Sequence, residues 1–166
     1  PDLKGRKIRV IPNPTFVALF RSLGTAPTPM AFGELYTALQ QGVVDGAEND
    51  VVTYLSTKHF EVAKNLAITN HMMLINTFVM SEKQWQRLPA DLQAVMRKAS
   101  LDGRAALLED RRAREAKALD ELRGHGVTIT RPDLAPFVAA GKKSYAESEE
   151  RLGKDLVAKI TSALGK

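Results

Sequence analysis

The chain has 166 residues, of which 24 are lysine or arginine and 19 are aspartate or glutamate, so its formal net charge at pH 7 is +5. Cysteine is absent, which excludes disulfide frameworks, thiolate metal sites and cysteine nucleophiles. No run of apolar residues reaches the roughly 18 that a membrane-spanning helix needs. The length supports one hydrophobic core or two small ones, and a single compact unit is the default expectation.

The first residue is Pro1 rather than methionine, and residues 1–5 have the composition of a loop leading into a strand. We therefore interpret the sequence as a part of a longer protein. A signal peptide would have been lost together with the preceding segment.

The first 50 residues alternate strand-like and helix-like segments, which is typical of βαβ units in a parallel or mixed sheet. Residues 7–11 form the first predicted strand. Because side chains alternate along a strand, Arg9 lies on the face opposite to Ile8 and Val10. A helix follows from Pro14 and ends at Gly24, a residue that often terminates helices.

The next segments continue the alternation. Pro27 and Pro29 restrict residues 25–30 to an edge strand or a loop, because proline donates no hydrogen bond to a neighbouring strand. Helices are predicted over residues 33–41 and 51–63. The apolar run of residues 66–80, centred on Met72 to Ile75, predicts a buried strand.

The second half of the chain is predicted to be mainly helical. Ser81 to Gln84 has the spacing of a capping box before a short helix. A long spine helix is predicted over residues 89–123, followed by a short strand at 127–130 and further helices. Its small or apolar positions are Leu92, Val95, Met96, Ala99, Gly103, Ala106 and Leu107.

Three residues of the first 50 have the chemistry of an acid-binding site, although each has a common structural interpretation. The planar fork of Arg9 matches a carboxylate, but most arginines on strands simply reach solvent. Phe32 suits an apolar wall over a ligand, yet it is equally suited to the core. Asn49 offers both a donor and an acceptor, and it is also typical of a turn or helix cap.

Metal binding and catalysis have weak support in the sequence. His59, His71 and His125 are scattered, and the Asp-Gly segment lacks the regular oxygen spacing of a calcium loop. Asp45 and Glu48 suggest acid–base chemistry, but no nucleophile motif, phosphate-binding glycine loop or dinucleotide fingerprint accompanies them. We expect no metal, no cofactor and no enzymatic activity.

The positive net charge raises nucleic acid as an alternative partner. In residues 104–123 the basic residues alternate with acids, and Asp110 and Arg114 form a favourable i,i+4 pair. This alternation favours a solvated helix surface. A helical interaction or nucleic-acid-binding module using residues 104–117 remains the second hypothesis.

Four motifs in the first 50 residues are too particular for generic helix and strand. They are Lys7-Ile-Arg-Val10, Gly24-x-x-Pro-Thr-Pro-Met30, Phe32-Gly-Glu-Leu-Tyr-Thr-Ala-Leu-Gln40 and Val44-Asp-Gly-Ala-Glu-Asn49. In this combination the chain resembles the substrate-binding proteins of tripartite ATP-independent periplasmic (TRAP) transporters. The resemblance continues through residues 59–64, 69–71, 81–91 and 126–133, and so covers nearly the whole chain.

This resemblance implies a two-lobed α/β protein of the periplasm that closes over an organic acid and delivers it to a permease driven by an ion gradient. The carboxylate-pairing arginine of the family corresponds to Arg9, the cleft aromatic to Phe32 and the ligand-facing asparagine to Asn49. It further suggests a polar ligand contact at Asn13, and a cleft water network at Glu48 and His71. Asp50 adds an acid that many members lack at this point.

The resemblance also implies an organisation. Residues 1–80 would form a ligand-binding lobe with a mixed sheet, residues 81–126 the spine helix region, and residues 127–166 a strand and helices that pack on a first lobe absent from this sequence. We expect weak ligand binding by this half of a cleft alone. We also expect self-association through the surface that the absent lobe would cover.

Overall fold

A computed structural model describes residues 2–72 and 77–163. The strands are β1 (Lys7–Val10), β2 (Ala26–Pro29), β3 (Gly46–Ala47), β4 (Asn65–Ala67) and β5 (Thr128–Thr130). The α-helices are α1 (Pro14–Ser22), α2 (Leu35–Gln40), α3 (Val51–Ser56), α4 (Glu82–Trp85), α5 (Ala90–Gly124), α6 (Ala135–Lys143), α7 (Tyr145–Leu152) and α8 (Lys154–Ala163). Two 3₁₀ turns span Phe32–Glu34 and His59–Glu61.

The first sheet has the order β2-β1-β3, and both pairings are parallel. Its central strand, β1, places Arg9 beside Thr28 of β2 and Ala47 of β3. The prolines of β2 are accommodated because β2 lies at the edge, where a missing N–H leaves no neighbour unpaired. The prediction of an edge strand in this segment is confirmed.

Helix α1 covers one face of this sheet. Asn13 caps it by accepting a hydrogen bond from the backbone N–H of Thr15 at 2.9 Å, and Pro14 fits the first turn, where no intrahelical donor is needed. Gly24 follows its end with a φ of +82°, a conformation that favours glycine. The core between α1 and β1 contains Ile8, Val10, Phe16, Leu19 and Phe20.

A second, two-stranded sheet joins β4 to β5 in parallel. The last third of α5 packs against α3 and the turn that follows it. Ala118 and Leu122 of α5 share a buried cluster with Val51, Tyr54 and Phe60. Leu122 is fully buried. This cluster holds the end of the long helix against the α3 region.

Two expectations about this middle region require correction. The helix predicted over residues 51–63 ends at Ser56, and Lys58 then adopts a left-handed conformation with a φ of +58°. The buried strand predicted over residues 66–80 is limited to β4, because residues 77–80 are exposed and have no strand partner within the described parts of the chain. The centre of that prediction, residues 73–76, lies outside the described residues.

The capping box predicted at Ser81 is also absent as a side-chain interaction. A helix begins at Glu82 as expected, but the Ser81 side chain forms no capping hydrogen bond. Its backbone carbonyl instead accepts from the N–H groups of Gln84 and Trp85, both at 2.9 Å. The sequence spacing therefore located the start of the helix without locating its cap.

The C-terminal helices α6 and α7 pack against α1. Arg151 donates to the Thr15 hydroxyl at 2.5 Å, and Leu19 lies 3.5 Å from the position of a Cβ at Gly141. These contacts join the end of the chain to its beginning. The packing of residues 127–166 on a further lobe stays a prediction.

Helix α5 has 35 residues and is the longest element. Almost every described side chain between residues 90 and 117 is exposed, including Leu101, which is 65% exposed, and Leu107. Within residues 2–72 and 77–163, no helix combines the length and the apolar character needed to cross a membrane.

Candidate functional site

The centre of the candidate site is Arg9, whose residue surface is only 3% exposed. Its Nε and Nη2 atoms both donate to the backbone carbonyl of Met30, at 3.0 and 2.8 Å. The third guanidinium nitrogen, Nη1, has no hydrogen-bond acceptor among the described residues. It is also not among the side-chain atoms that are shut off from solvent without a hydrogen-bond partner. One edge of the guanidinium is therefore fixed by the protein while the other can receive an anion.

Two opposing effects act on the pKa of the Arg9 guanidinium. Burial lowers the pKa of the guanidinium, and the carboxyl group of Glu48 opposes this shift. An arginine remains protonated in such an environment because its pKa starts far above neutrality. The site thus presents a desolvated positive charge, which interacts more strongly with an anion than an exposed one does.

Phe32 lies over this charge at the point where β2 ends. Its ring centroid is 5.7 Å from Cζ of Arg9, and the ring of His59 meets it edge-on at 5.6 Å. The Phe32 residue is 44% exposed, whereas His59 is buried. Phe32 therefore presents an apolar surface to solvent beside the arginine instead of filling the core.

Asn49 follows the end of β3, the strand that pairs with Arg9. Its side-chain oxygen accepts a hydrogen bond from the backbone N–H of Asp50 at 2.9 Å. The amide NH₂ of Asn49 carries two further donors, so the side chain can still donate hydrogen bonds. Asp50 is itself occupied, because it caps α3 through the Thr53 N–H at 3.0 Å.

Glu48 and His71 form a second polar pair next to the arginine. Glu48 Oε2 and His71 Nε2 are 3.9 Å apart, and the two side chains are 11% and 18% exposed. On its other side the His71 ring contacts the Thr69 hydroxyl through Nδ1 at 2.7 Å. Glu48 Oε1 and His71 Nε2 are enclosed and lack a hydrogen-bond partner among the described residues.

The protonation of this pair follows from its burial. Burial raises the pKa of Glu48, although the positive charge of Arg9 and the backbone of Ile11 oppose the shift, and burial lowers the pKa of His71. Histidine is therefore neutral at pH 7, and the 3.9 Å separation is too long for a direct hydrogen bond. The two groups form an unsatisfied polar pair rather than a salt bridge.

The six predicted site residues are thus not equivalent. Arg9, Phe32, Asn49 and Glu48 lie at the carboxyl ends of the parallel strands or directly after them, where α/β proteins usually bind ligands. His71 joins them through Glu48. Asn13 uses its side-chain oxygen to cap α1, and its role at a ligand remains a prediction.

Sequence reasoning missed two contributors. The backbone carbonyl of Met30 orients Arg9, and no residue type signals a backbone acceptor. His59 was considered only as a metal ligand, but it supports the Phe32 ring, and burial together with the charge of Arg9 lowers its pKa. The position of His59 just after the end of a helix does not predict its contact with Phe32.

A separate open depression of about 450 Å³ lies where α3 meets the end of α5, lined in part by Lys58, Glu61 and Glu121. None of the six candidate residues lines it. The described residues also contain no group of three or more histidine, aspartate or glutamate side chains placed to hold a metal ion.

Comparison with known proteins agrees with this geometry. Residues 1–152 match the DctP family, described as bacterial extracellular solute-binding protein, family 7. The chain belongs to this family. Its α/β fold and its resemblance to TRAP solute-binding proteins are thereby confirmed.

Two relatives show how far the match extends. A solute-binding protein of Verminephrobacter eiseniae is 40% identical over 98% of this chain and 49% of its own length. The sialic acid-binding periplasmic protein SiaP of Vibrio cholerae is 36% identical over 97% of this chain and 50% of its own length. The chain therefore spans about half the length of these relatives.

A solved structure gives the same proportion. The TRAP periplasmic solute-binding protein of a Sulfitobacter species, with bound β-D-galacturonate, superposes with a TM-score of 0.89 and 34% identity. The match covers 94% of this chain and 53% of that protein. The chain thus also spans about half the length of this solved structure.

Proposed function

We propose that this chain is the arginine-bearing portion of a periplasmic TRAP solute-binding protein that captures an organic acid and delivers it to the membrane permease. The observation that carries the proposal is the buried Arg9 guanidinium, held on one edge by Met30 and open on another. A ligand carboxylate would accept hydrogen bonds at that open edge. Both groups are charged, so the pairing is stronger than a neutral hydrogen bond.

The neighbouring residues have complementary roles in this proposal. Phe32 packs against the apolar face of the ligand and keeps water from the ion pair. The amide NH₂ of Asn49 donates to a second ligand oxygen, since its own oxygen is already occupied. Glu48 and His71 provide polar groups for an enclosed water molecule.

The relatives indicate which acids to test. The Sulfitobacter protein carries galacturonate, the Vibrio protein is named for sialic acid, and a Shewanella loihica relative that is 32% identical is named for C4-dicarboxylates. All three ligands contain a carboxylate. We propose galacturonate as the first probe because the galacturonate-bound structure superposes closely on this chain.

Affinity should be low for this chain alone. An ion pair at an open surface contributes only about 0 to 1 kcal/mol, while enclosure by a second lobe would remove the competing water. We also propose that residues 127–166 would contact that lobe. In its absence the exposed apolar surface would promote self-association of the chain.

The proposal is tested by titrating the isotope-labelled chain with galacturonate to high millimolar concentration and following NMR shifts. We expect shifts at Arg9, Phe32 and Asn49, and a loss of affinity of up to about fivefold in Arg9→Ala, which corresponds to an ion pair of up to about 1 kcal/mol. Arg9→Lys should recover only part of the binding, because lysine lacks the planar fork. Galactose, which has no carboxylate, is the ligand control.

Arg104→Ala is the matched protein control, since this exposed arginine belongs to α5 and lies outside the site. It should bind galacturonate as the unsubstituted chain does. Equal affinity for galactose, or unchanged binding in Arg9→Ala, would contradict the proposed arginine–carboxylate pairing.

A further inference from the structure

The ring of Phe32 has few contacts that fix its orientation. The residue is 44% exposed, and it takes part in none of the buried apolar clusters of the described residues. Its ring centroid lies 5.7 Å from Cζ of Arg9 and 5.6 Å from the centroid of the His59 ring, whose plane is inclined to it by 77°. Aromatic rings in this arrangement attract each other, because the positive edge of one meets the negative face of the other. The position of His59 therefore bears directly on that of Phe32.

His59 is in turn held by the end of helix α3. The residue is buried, and its Nδ1 atom lies 3.0 Å from the hydroxyl oxygen of Thr57, which directly follows the last residue of α3. Lys58, between them, has a φ of +58°, a left-handed conformation that is common where helices end. The Thr57 hydroxyl oxygen also lies 2.7 Å from the backbone carbonyl oxygen of Thr53.

These distances determine which group donates to which. A carbonyl oxygen carries no hydrogen, so its 2.7 Å separation from the Thr57 oxygen places the hydroxyl hydrogen between the two. That hydroxyl has no second hydrogen and therefore accepts from Nδ1 of His59. Burial, and then the charge of Arg9, lower the pKa of His59, so the ring is neutral at pH 7. Its single hydrogen is consequently on Nδ1.

The turn that carries His59 is also attached to helix α2. The Tyr36 hydroxyl donates to Oε2 of Glu61 at 2.8 Å, and the ring centroids of Tyr36 and His59 are 6.3 Å apart. The 3₁₀ turn Phe32–Glu34 leads directly into α2, so these contacts hold the two turns near each other. Among the described residues, however, the hydrogen-bond partner of the His59 imidazole itself is Thr57.

Helix α3 carries the polar side of the site as well. Asp50 accepts hydrogen bonds from the backbone N–H and the hydroxyl of Thr53, at 3.0 and 2.7 Å, and Asn49 directly precedes it. The carbonyl of Thr53 then accepts from Thr57. The helix thus connects Asn49 before its start with His59 beyond its end.

We propose that Thr57 is a positioning residue of the acid-binding site, whose hydroxyl fixes the His59 imidazole and thereby holds Phe32 beside Arg9. Thr57 acts through His59 and touches no ligand itself. Its effect on acid binding rests on the function proposed above, whereas the arrangement of the two rings can be measured without a ligand. If Thr57 served only to bond the last turn of α3, the two rings would be indifferent to its hydroxyl.

The first test uses the unsubstituted chain without ligand. The nitrogen chemical shifts of the His59 imidazole at pH 7 distinguish a nitrogen that carries hydrogen from one that does not. We expect one dominant tautomer with its hydrogen on Nδ1, and nuclear Overhauser contacts between the His59 and Phe32 rings. A dominant tautomer with its hydrogen on Nε2 would overturn the proposal, because Thr57 would then donate to His59 and could not be anchored to Thr53.

The second test removes the hydroxyl while keeping the shape of the side chain. In Thr57→Val we expect a mixture of His59 tautomers, altered chemical shifts of the Phe32 ring, and a loss of galacturonate affinity of about twofold. Thr57→Ser retains the hydroxyl and should restore all three. An unchanged His59 tautomer in Thr57→Val, or altered rings with unchanged affinity, would contradict the positioning role.

Ser56→Ala is the matched control. The Ser56 hydroxyl donates to the same Thr53 carbonyl, at 3.2 Å, and has no contact with the His59 imidazole. This variant should keep the tautomer, the Phe32 shifts and the affinity of the unsubstituted chain. Equal changes in Ser56→Ala would attribute them to the end of α3 in general and would overturn a specific role of Thr57.

The two proposals fail in different ways. If galacturonate does not bind the unsubstituted chain, the proposed function is contradicted, while the ligand-free spectra still decide whether Thr57 positions His59 and Phe32. If galacturonate binds and weakens in Arg9→Ala but not in Thr57→Val, the function stands and the positioning role is overturned.

Discussion

Leu35 and Leu107 are the same residue type on two helices of one chain, yet Leu35 is fully buried and Leu107 is 60% exposed. Leu35 of α2 packs with Ala38 and Val44 in a small buried cluster. Leu107 faces solvent on the exposed part of α5. The contrast separates a region stabilised by its own core from a helix whose apolar side chains face solvent. Helical periodicity is present in both, so the pattern alone does not reveal which apolar face is covered.

The largest expected effect is that of removing the buried leucine. Leu35→Ala should lower the free energy of unfolding by about 3 kcal/mol, because it loses buried apolar surface and leaves a cavity. Leu107→Ala should change it by less than about 0.5 kcal/mol. Urea denaturation measures both losses, and a similar loss in the two variants would contradict the contrast.

A smaller effect is expected at the start of α3. Asp50→Ala should cost about 1 kcal/mol, because Asp50 accepts hydrogen bonds from the N–H and the hydroxyl of Thr53. Helix α5 has no side-chain cap at Pro89, so changes at its start should cost less. Asp50→Asn is the conservative control, and it should retain most of the stability in the same denaturation experiment.

The buried pair at the site predicts a dependence on pH. Burial lowers the pKa of His71 below its ordinary value of 6.5, so the unfolded chain binds a proton more readily than the folded chain. The unsubstituted chain should therefore lose stability as the pH falls through 6.5, and His71→Gln should lose less. Unfolding free energies measured across this range test the sign.

His125→Gln is the control for that measurement, since the His125 side chain is about half exposed. It should retain the pH profile of the unsubstituted chain. An identical profile in His71→Gln would show that the enclosed imidazole does not control the acid sensitivity.

The smallest effect is expected on the free surface of α5. Asp102→Asn removes an exposed pair with Lys98 at 2.6 Å, and should change stability by no more than about 0.5 kcal/mol. Added salt should reduce even this difference. A loss above 1 kcal/mol would indicate that this part of α5 is less solvated than its exposed surface implies.

Several local features could be predicted because their causes are local. The first strand, the edge position of the proline-containing strand and the long helix all follow from side-chain alternation, missing donors and helical spacing. The buried strand predicted over residues 66–80 did not follow from local causes alone. Its apolar composition suits a core strand, but residues 77–80 have no neighbouring strand in the parts of the chain that are described.

The residue types at the candidate site could likewise be predicted from the sequence. The hydrogen bonds that several of these residues make could not. Arg9 was selected for its anion-binding fork, but its fixed edge depends on the carbonyl of Met30, 21 residues away. Asn49 offers both a donor and an acceptor, and only the structure shows that its side-chain oxygen accepts a hydrogen bond from the backbone N–H of Asp50. Such assignments require coordinates because hydrogen bonds depend on distance and direction.

The sequence by itself determined the family, the alternation of strands and helices, and the presence of a carboxylate-binding residue type, because motifs and periodicity are properties of the chain. Only the tertiary structure decided that Arg9 is buried while Phe32 is exposed, and that one leucine packs while another faces solvent. Burial results from which distant elements meet. Local patterns therefore indicate a face to be covered, whereas packing determines whether it is covered.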